Sequence, residues 1–276
     1  MTWFAIEVLP EPAHRDAVAA WLVRWTGQAV EERADGTIVS FARDVAEAGD
    51  MEAALTRMRG ALSITRRELP EVDWSTAWRA GLGVREVGAF DIVPTWIEHT
   101  SAPGRHLITL DPEMAFGSGE HGSTRGALQL LQHYLKPGDR VLDLGSGSAI
   151  LAIAAAMLGA TRVAGVELDP EAIPASIQNV ERNGVADRVR IVEGDAAAMT
   201  PLLAPAELIV SNILRLVNQT LLPVIHDALV PGGVGIFSGM ETSEPELFRG
   251  PLAASGFTIV EEIVDENWWS VAVRRG

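Results

Sequence analysis

There is no cysteine anywhere in the 276 residues. This excludes disulfides, zinc–thiolate and iron–sulfur centres and a thiol nucleophile in one step. It also suits a reducing compartment, so a cytoplasmic setting is expected. No apolar run approaches the roughly 20 residues that span a bilayer. The longest, 149–160, follows a glycine turn and contains Gly159, which reads as a buried helix. The first residues, Met1-Thr-Trp-Phe-Ala-Ile-Glu7, lack a basic segment followed by an apolar core, so no leader is expected. Basic residues are scarce: 22 Lys and Arg stand against 37 Asp and Glu, a formal charge of −15. A chain of that sign repels phosphate backbones, and direct nucleic-acid binding is not expected. The excess acid fits solubility and equally the attraction of a basic partner protein.

What is present divides the chain in two. Residues 2–8 read as a strand, and Pro12 opens a helix to about Thr26. Strands 28–33 and 37–42 follow, separated by the turn-forming pair Asp35-Gly36. A helix over about 50–69 then carries Met51, Leu55, Met58, Leu62 and Ile64 as a rough apolar stripe. This β-α-β-β-α order predicts a small ferredoxin-like α+β domain over 1–69 with no clear final strand. A helical connector over 70–89 holds Trp74 and Trp78, whose indoles would dock it on a domain. The remainder, 90–276, forms the larger domain. Strands 90–94 and 106–110 lead to a glycine-rich loop and a helix from about Ser123, which Ser123 or Thr124 would cap. After Pro137-Gly138 the chain alternates strand and helix five times, the pattern of a mainly parallel sheet covered on both faces. It ends in two strands with no helix between them, 257–265 and 268–274, so one strand must run antiparallel.

The chemistry concentrates where strands meet helices. Val141-Leu-Asp-Leu-Gly-Ser-Gly-Ser-Ala149 is a buried strand, a sharp turn with Gly145 and Gly147, and the opening of an apolar helix. Glycines there let the backbone turn tightly and approach a ligand. An ordinary αβ connection would use glycine too, but further pieces follow in order around it. The dinucleotide fingerprint needs a third glycine where Ile150 stands, which disfavours a phosphate-bearing cofactor. S-adenosylmethionine carries no phosphate, and Asp143 before the turn offers an acid to its cationic groups. Glu167, 20 residues after Gly147 at the next strand's end, can accept from ribose hydroxyls. Asp195, after the third strand, can accept from an adenine amine or cap the following helix. Asn212 follows the fourth strand, where position alone faces it to the crevice, and its amide oxygen could hold an amine. The loop Asp111-Pro-Glu-Met-Ala-Phe-Gly-Ser-Gly-Glu-His-Gly-Ser-Thr124 reads as a lid with an aromatic floor, bringing Phe116, Gly117 and Thr124 to the cofactor. His121 in it is open between a base and a structural hydrogen-bonder. An NAD-dependent dehydrogenase and a non-catalytic binding module are the rival classes.

These motifs together resemble the bacterial methyltransferases of large-subunit ribosomal protein eleven. Ala115-Phe-Gly-Ser-Gly-Glu-His-Gly-Ser-Thr124 is similar to that family's lid, A-F-G-T-G-x-H-x-T-T. Asp143-Leu-Gly-Ser-Gly-Ser-Ala-Ile-Leu-Ala-Ile-Ala-Ala155 is similar to its cofactor turn, and Ser211-Asn-Ile-Leu214 to its A-N-I-L. Gly165-Val-Glu-Leu-Asp-Pro170 matches its G-x-D-x-D-P, while Ala149, Glu167, Ser118 and Ser123 depart from its usual glycine, aspartate and threonines. The resemblance implies a Rossmann-like seven-stranded class I methyltransferase domain behind a domain that recognises a basic ribosomal protein. It implies S-adenosylmethionine as cofactor, and lysine or N-terminal amines as acceptors. A lysine amine is protonated at neutral pH, so it must lose a proton before it can attack, and Asn212 is expected to position it.

Overall fold

A computed structural model of the chain describes residues 3–27, 30–33, 35–58, 60–69, 83–111, 117 and 119–276. The chain divides into two compact units, residues 1–81 and 82–276. The connector tryptophans Trp74 and Trp78 lie outside the described residues.

The N-terminal unit runs β1 (Phe4–Pro10), α1 (Arg15–Thr26), β2 (Glu31–Glu32), β3 (Ile38–Ala42), α2 (Val45–Arg57) and β4 (Ala61–Glu68). All pairings are antiparallel and the order is β2-β3-β1-β4, the ferredoxin-like arrangement. Ile6, Val8, Leu22, Ile38, Met51 and Leu55 fill its core. One expectation is corrected here: the helix predicted to reach Leu69 stops at Arg57, and the final strand exists. Gly60 breaks the run with φ +94, its α-carbon set so close to the His14 ring that a Cβ would sit 2.5 Å away. The β-branched Ile64-Thr65 pair then favours extended backbone, and β4 zips along β1 from Phe4↔Glu68 to Pro10↔Ala61. The lost helical stripe was an accident of spacing that a turn glycine overrode.

The C-terminal unit starts with a small sheet, β5 (Arg85–Val87), β6 (Phe90–Pro94) and β7 (His106–Leu110). Residues 85–87, expected within a helical connector, are therefore strand: Arg85 to Val87 pair antiparallel with Phe90 to Ile92 around Gly88. Next come α3 (Gly122–Tyr134), β8 (Arg140–Leu144), α4 (Ile150–Met157), β9 (Arg162–Glu167), α5 (Ile173–Arg182) and β10 (Val189–Glu193). The chain closes with α6 (Ala196–Leu203), β11 (Ala206–Asn212), α7 (Arg215–Ala228), β12 (Leu229–Glu241), α8 (Pro245–Ala254), β13 (Phe257–Asp265) and β14 (Trp268–Arg275). The large sheet has the order β10-β9-β8-β11-β12-β14-β13. Its strands are parallel except β14, which pairs antiparallel with both neighbours, as the helix-less ending required. One face packs Leu131, Ile150, Ile153, Val210 and Ile236, and the other Leu222, Ile225, Phe237, Phe248 and Trp269. Burial on both faces is why these strands read as continuous Val/Ile/Leu runs. Chain order reverses between β8 and β11, which opens a crevice beyond their carboxyl ends. Among the described residues no helix is long and apolar enough to cross a membrane.

Candidate active site

A cavity of about 500 Å³ occupies that crevice. Its floor is the turn after β8. Gly145 and Gly147 take φ +74 and +51, and a Cβ on Gly145 would lie 2.5 Å from Ile213 Cγ2. Only glycine allows this backbone to pass so close to the loop after β11. The Gly145 and Ser146 amides donate to Val166 O at 2.8 and 3.1 Å, which locks the turn onto β9. The turn ends in a left-handed alanine, Ala149 with φ 67, fully buried at the N-cap of α4. A glycine there would be relaxed; alanine stores roughly 1 kcal/mol or more of backbone strain.

Asp143 lies underneath the turn rather than on the cavity wall. It is completely buried, and its Oδ2 accepts from the Ala152 amide at 3.1 Å in the first turn of α4. Its Oδ1 has no partner. Burial pushes the carboxyl up to about 7, against the pull of the Ala152 N–H, and the negative Glu167 adds to the rise. A cationic ligand above the turn would relieve both effects by favouring the ionised form.

Glu167 lines the cavity at the end of β9. Its carboxylate is already taken up by backbone: Oε2 accepts from Gly147 N at 2.8 Å, and Oε1 from Leu168 N and Asp169 N, both at 2.9 Å. A carboxylate has about four lone-pair positions, so one remains, on Oε2. It can hold one ribose hydroxyl as it stands; a second requires one backbone bond to yield. Asp195 does both things the sequence left open in position: its Oδ1 caps α6 by accepting from Ala198 N at 3.0 Å, and the residue lines the cavity.

Asn212, the last residue of β11, stands on the opposite side of the glycine turn. Its Nδ2 donates to the hydroxyl of fully buried Thr124 at 3.2 Å. That bond orients the amide and leaves its buried Oδ1 with no partner. Thr124 and Ser123 do not cap α3, as the sequence suggested; the N-cap is His121, which makes no side-chain cap bond, and both hydroxyls are buried in the first turn. Thr124 thus supports Asn212, while Ser123 lines the cavity itself, its Oγ unpartnered.

The lid is described only at its end. Phe116 lies outside the described residues. Gly117, at φ +106, is held by its carbonyl, which accepts from Ser148 Oγ at 2.6 Å. Asn179 ties down the start of the loop: its Oδ1 accepts from Asp111 N at 3.0 Å and its Nδ2 donates to Asp111 O and Ser148 O, each at 3.1 Å. Sequence reasoning missed Trp268, Val217 and Gly239 on the cavity wall. For Gly239 the only signal is tertiary: at φ +79, its Cβ would stand 2.5 Å from Ile213 O.

The donor set fits a sulfonium nucleoside. It offers a glycine floor without a phosphate-binding third glycine, a strand-end acid, an acid at the third strand, and Ser123 and Asn212 elsewhere on the same wall. Fold and site together define a class I S-adenosylmethionine-dependent methyltransferase. Comparison with known proteins narrows the class. A family model described as ribosomal protein L11 methyltransferase matches residues 22–276, and the chain belongs to that family. A ribosomal protein L11 methyltransferase of Exiguobacterium sibiricum is 38% identical over 217 residues, 78% of this chain and 68% of the relative. One from Thermus thermophilus is 38% identical over 208 residues, 75% of this chain and 80% of the relative. The crystal structure of a ribosomal protein L11 methylase from Lactobacillus delbrueckii subsp. bulgaricus superposes with TM-score 0.65 at 29% identity, covering 70% of this chain and 99% of that one.

Proposed function

We propose that the chain transfers methyl groups from S-adenosylmethionine to amines of ribosomal protein L11, lysine side chains or the N-terminus, with Asn212 aligning the nitrogen. Family membership supports the substrate, and the oriented, unpartnered Oδ1 of Asn212 is the observation that carries the chemistry. When bound, the cofactor supplies a methyl group on a positively charged sulfur. Glu167, Asp195 and the Gly145–Gly147 floor would hold its nucleoside, with Asp143 beneath them. Gly117, held by Ser148 Oγ, would contact it from the end of the lid, and Phe116 keeps the cofactor-binding role expected of it from the sequence. Asn212 Oδ1 can accept one N–H of a neutral amine, which points the nitrogen lone pair away from the amide and into the cavity. Thr124 acts through Asn212 by fixing which amide atom faces inward. The cavity wall there is apolar, with Ile213, Leu214 and Val217, so an amine entering it loses water and its pKa falls. The N-terminal unit would recognise the ribosomal protein, whose basic character suits a chain of charge −15.

The test is direct. Purified protein, S-adenosylmethionine and unmodified L11 should give mass increments of 14 Da steps on L11 alone among ribosomal proteins. Unaltered L11 after prolonged incubation, with cofactor shown to be bound, would remove L11 as the substrate.

A further inference from the structure

Among the described residues, the cavity wall carries one large side chain that neither the cofactor-binding motifs nor the core explains. Residues 268 and 269 are consecutive tryptophans on β14, and strand alternation sends them to opposite faces. Trp269 is 1% exposed, packs in the core, and donates from Nε1 to Glu262 Oε2 at 2.9 Å. Trp268 belongs to neither core cluster and lines the cavity, partly exposed. In the sheet, β9 and β14 are four strands apart, roughly 19 Å. Glu167 and Trp268 therefore mark opposite ends of the crevice, with Asn212 between them.

Trp268 is also held in place from several sides. His121 packs against it edge-on, ring centroids 5.7 Å apart at 73°. Gly122 brings the start of α3 so near that a Cβ would lie 3.1 Å from Trp268 Cδ1 and 2.5 Å from Asp265 O. The turn before it is clamped by Arg125, which binds both oxygens of Asp265 at 2.7 and 2.8 Å and Glu266 Oε1 at 3.0 Å. Within that turn Glu266 sits at φ 55, a left-handed conformation that this clamp sustains. A wet surface indole would need none of this.

We propose that Trp268 is the wall that receives the acceptor amine, its indole face holding the alkylammonium formed as the methyl group arrives; this rests on the methyltransferase reading above. In the transfer the nitrogen lone pair forms the N–C bond while the C–S pair leaves with sulfur. The positive charge passes from sulfur to nitrogen, and the nitrogen later gives a proton to solvent. An aromatic face attracts that charge without donating or accepting a hydrogen bond. It does so equally for a nitrogen with fewer N–H groups, where a second polar acceptor would be left unpaired. His121 then has a positioning role, through its ring contact with Trp268.

The experiment separates this from the choice of protein substrate. The full chain, saturated with S-adenosylhomocysteine, is titrated calorimetrically with butyltrimethylammonium chloride, for wild type, Trp268→Phe, Trp268→Leu and Trp268→Met. The wild type should bind the cation, Phe should weaken it by no more than about 3-fold, and Leu and Met by about 10-fold. S-adenosylhomocysteine affinity and thermal midpoint should stay unchanged in all the soluble variants. Transfer to L11 should follow the same order, with kcat/KM falling about 10-fold for Leu and Met. No cation binding by the wild type, wild-type-level cation binding by either non-aromatic variant, or cofactor affinity falling in step would overturn the assignment. Cation binding that depends on the indole, with no methylation of L11, would leave Trp268 in place and remove L11.

Discussion

The buried carboxylate beneath the glycine turn sets up a measurable conflict between stability and function. Asp143 is fully buried and its carboxyl is raised from the ordinary 3.8 to about 7, chiefly by burial. Between those values the folded chain holds a proton that the unfolded chain has already released. Stability therefore falls as pH rises from about 4 to 7, and this contribution is flat above that. A shift of about three units at roughly 1.4 kcal/mol each comes to about 4 kcal/mol, the cost of carrying the ionised group in the empty site at pH 8. Asp143→Asn removes that cost. It keeps an oxygen for the Ala152 amide, and replaces the unpartnered Oδ1 by an NH₂ that lacks an acceptor, a penalty of about 1–3 kcal/mol at every pH. The difference between variant and wild type should thus move in favour of the variant by about 4 kcal/mol from pH 4 to pH 8, an upper bound of order of magnitude. For a unit of this size that is a relative shift in midpoint of roughly 10 °C. Titrating groups other than the coupled Glu167 cancel in the difference, so melting both proteins without cofactor at four pH values isolates Asp143 together with that neighbour. The same substitution should weaken S-adenosylmethionine binding, because the ionised form is the one a cation stabilises. A wild-type-minus-variant difference that is constant across pH would refute the account of a carboxyl held neutral by burial.

Asn212→Ala should lower kcat for L11 methylation on the order of 10²-fold with cofactor affinity near normal; Thr124→Val should cost less, since it frees the amide to rotate without removing it, and equal turnover in both would return Asn212 to a structural role. Glu167→Ala should weaken cofactor binding about 10-fold and also lower the thermal midpoint, because three backbone N–H groups lose their acceptor; calorimetry and melting on one preparation check both. Ala149→Gly should relieve the left-handed strain at φ 67 and leave the melting point equal or higher despite the added chain entropy. A fall of several degrees there would show that the turn is not strained.

Much of the fold is legible in the sequence. Five strand–helix alternations and a helix-less ending were enough to require a parallel sheet with one reversed strand, because burial on both faces and short connections leave few alternatives. The errors fell where local pattern and chain geometry disagreed. Residues 61–68 carry apolar side chains at a helix-like spacing from α2, yet Gly60 at φ +94 ends the helix and the edge of β1 recruits them as a strand. Residues 85–87 became strand because Phe90–Ile92 offered them a partner, which no local propensity reveals.

The site divides along the same line. Gly145, Gly147, Glu167 and Asn212 stand at or just after strand ends, and strand ends in this topology converge on one crevice; their shared place on the cavity wall was therefore legible from order and spacing alone. What the sequence could not decide was direction and contact. Asp143 points under the turn instead of across it, Glu167 spends most of its oxygens on backbone, and Thr124 turns from a helix cap into the partner that aims Asn212. Trp268 lies 56 positions after Asn212 and reaches the same cavity only because β12 and β14 pair antiparallel and a hairpin, clamped by Arg125, ends there. Backbone periodicity is a local property that sequence determines. Which side chains face one another across strands distant in the chain depends on register and packing, and those exist only in the folded molecule.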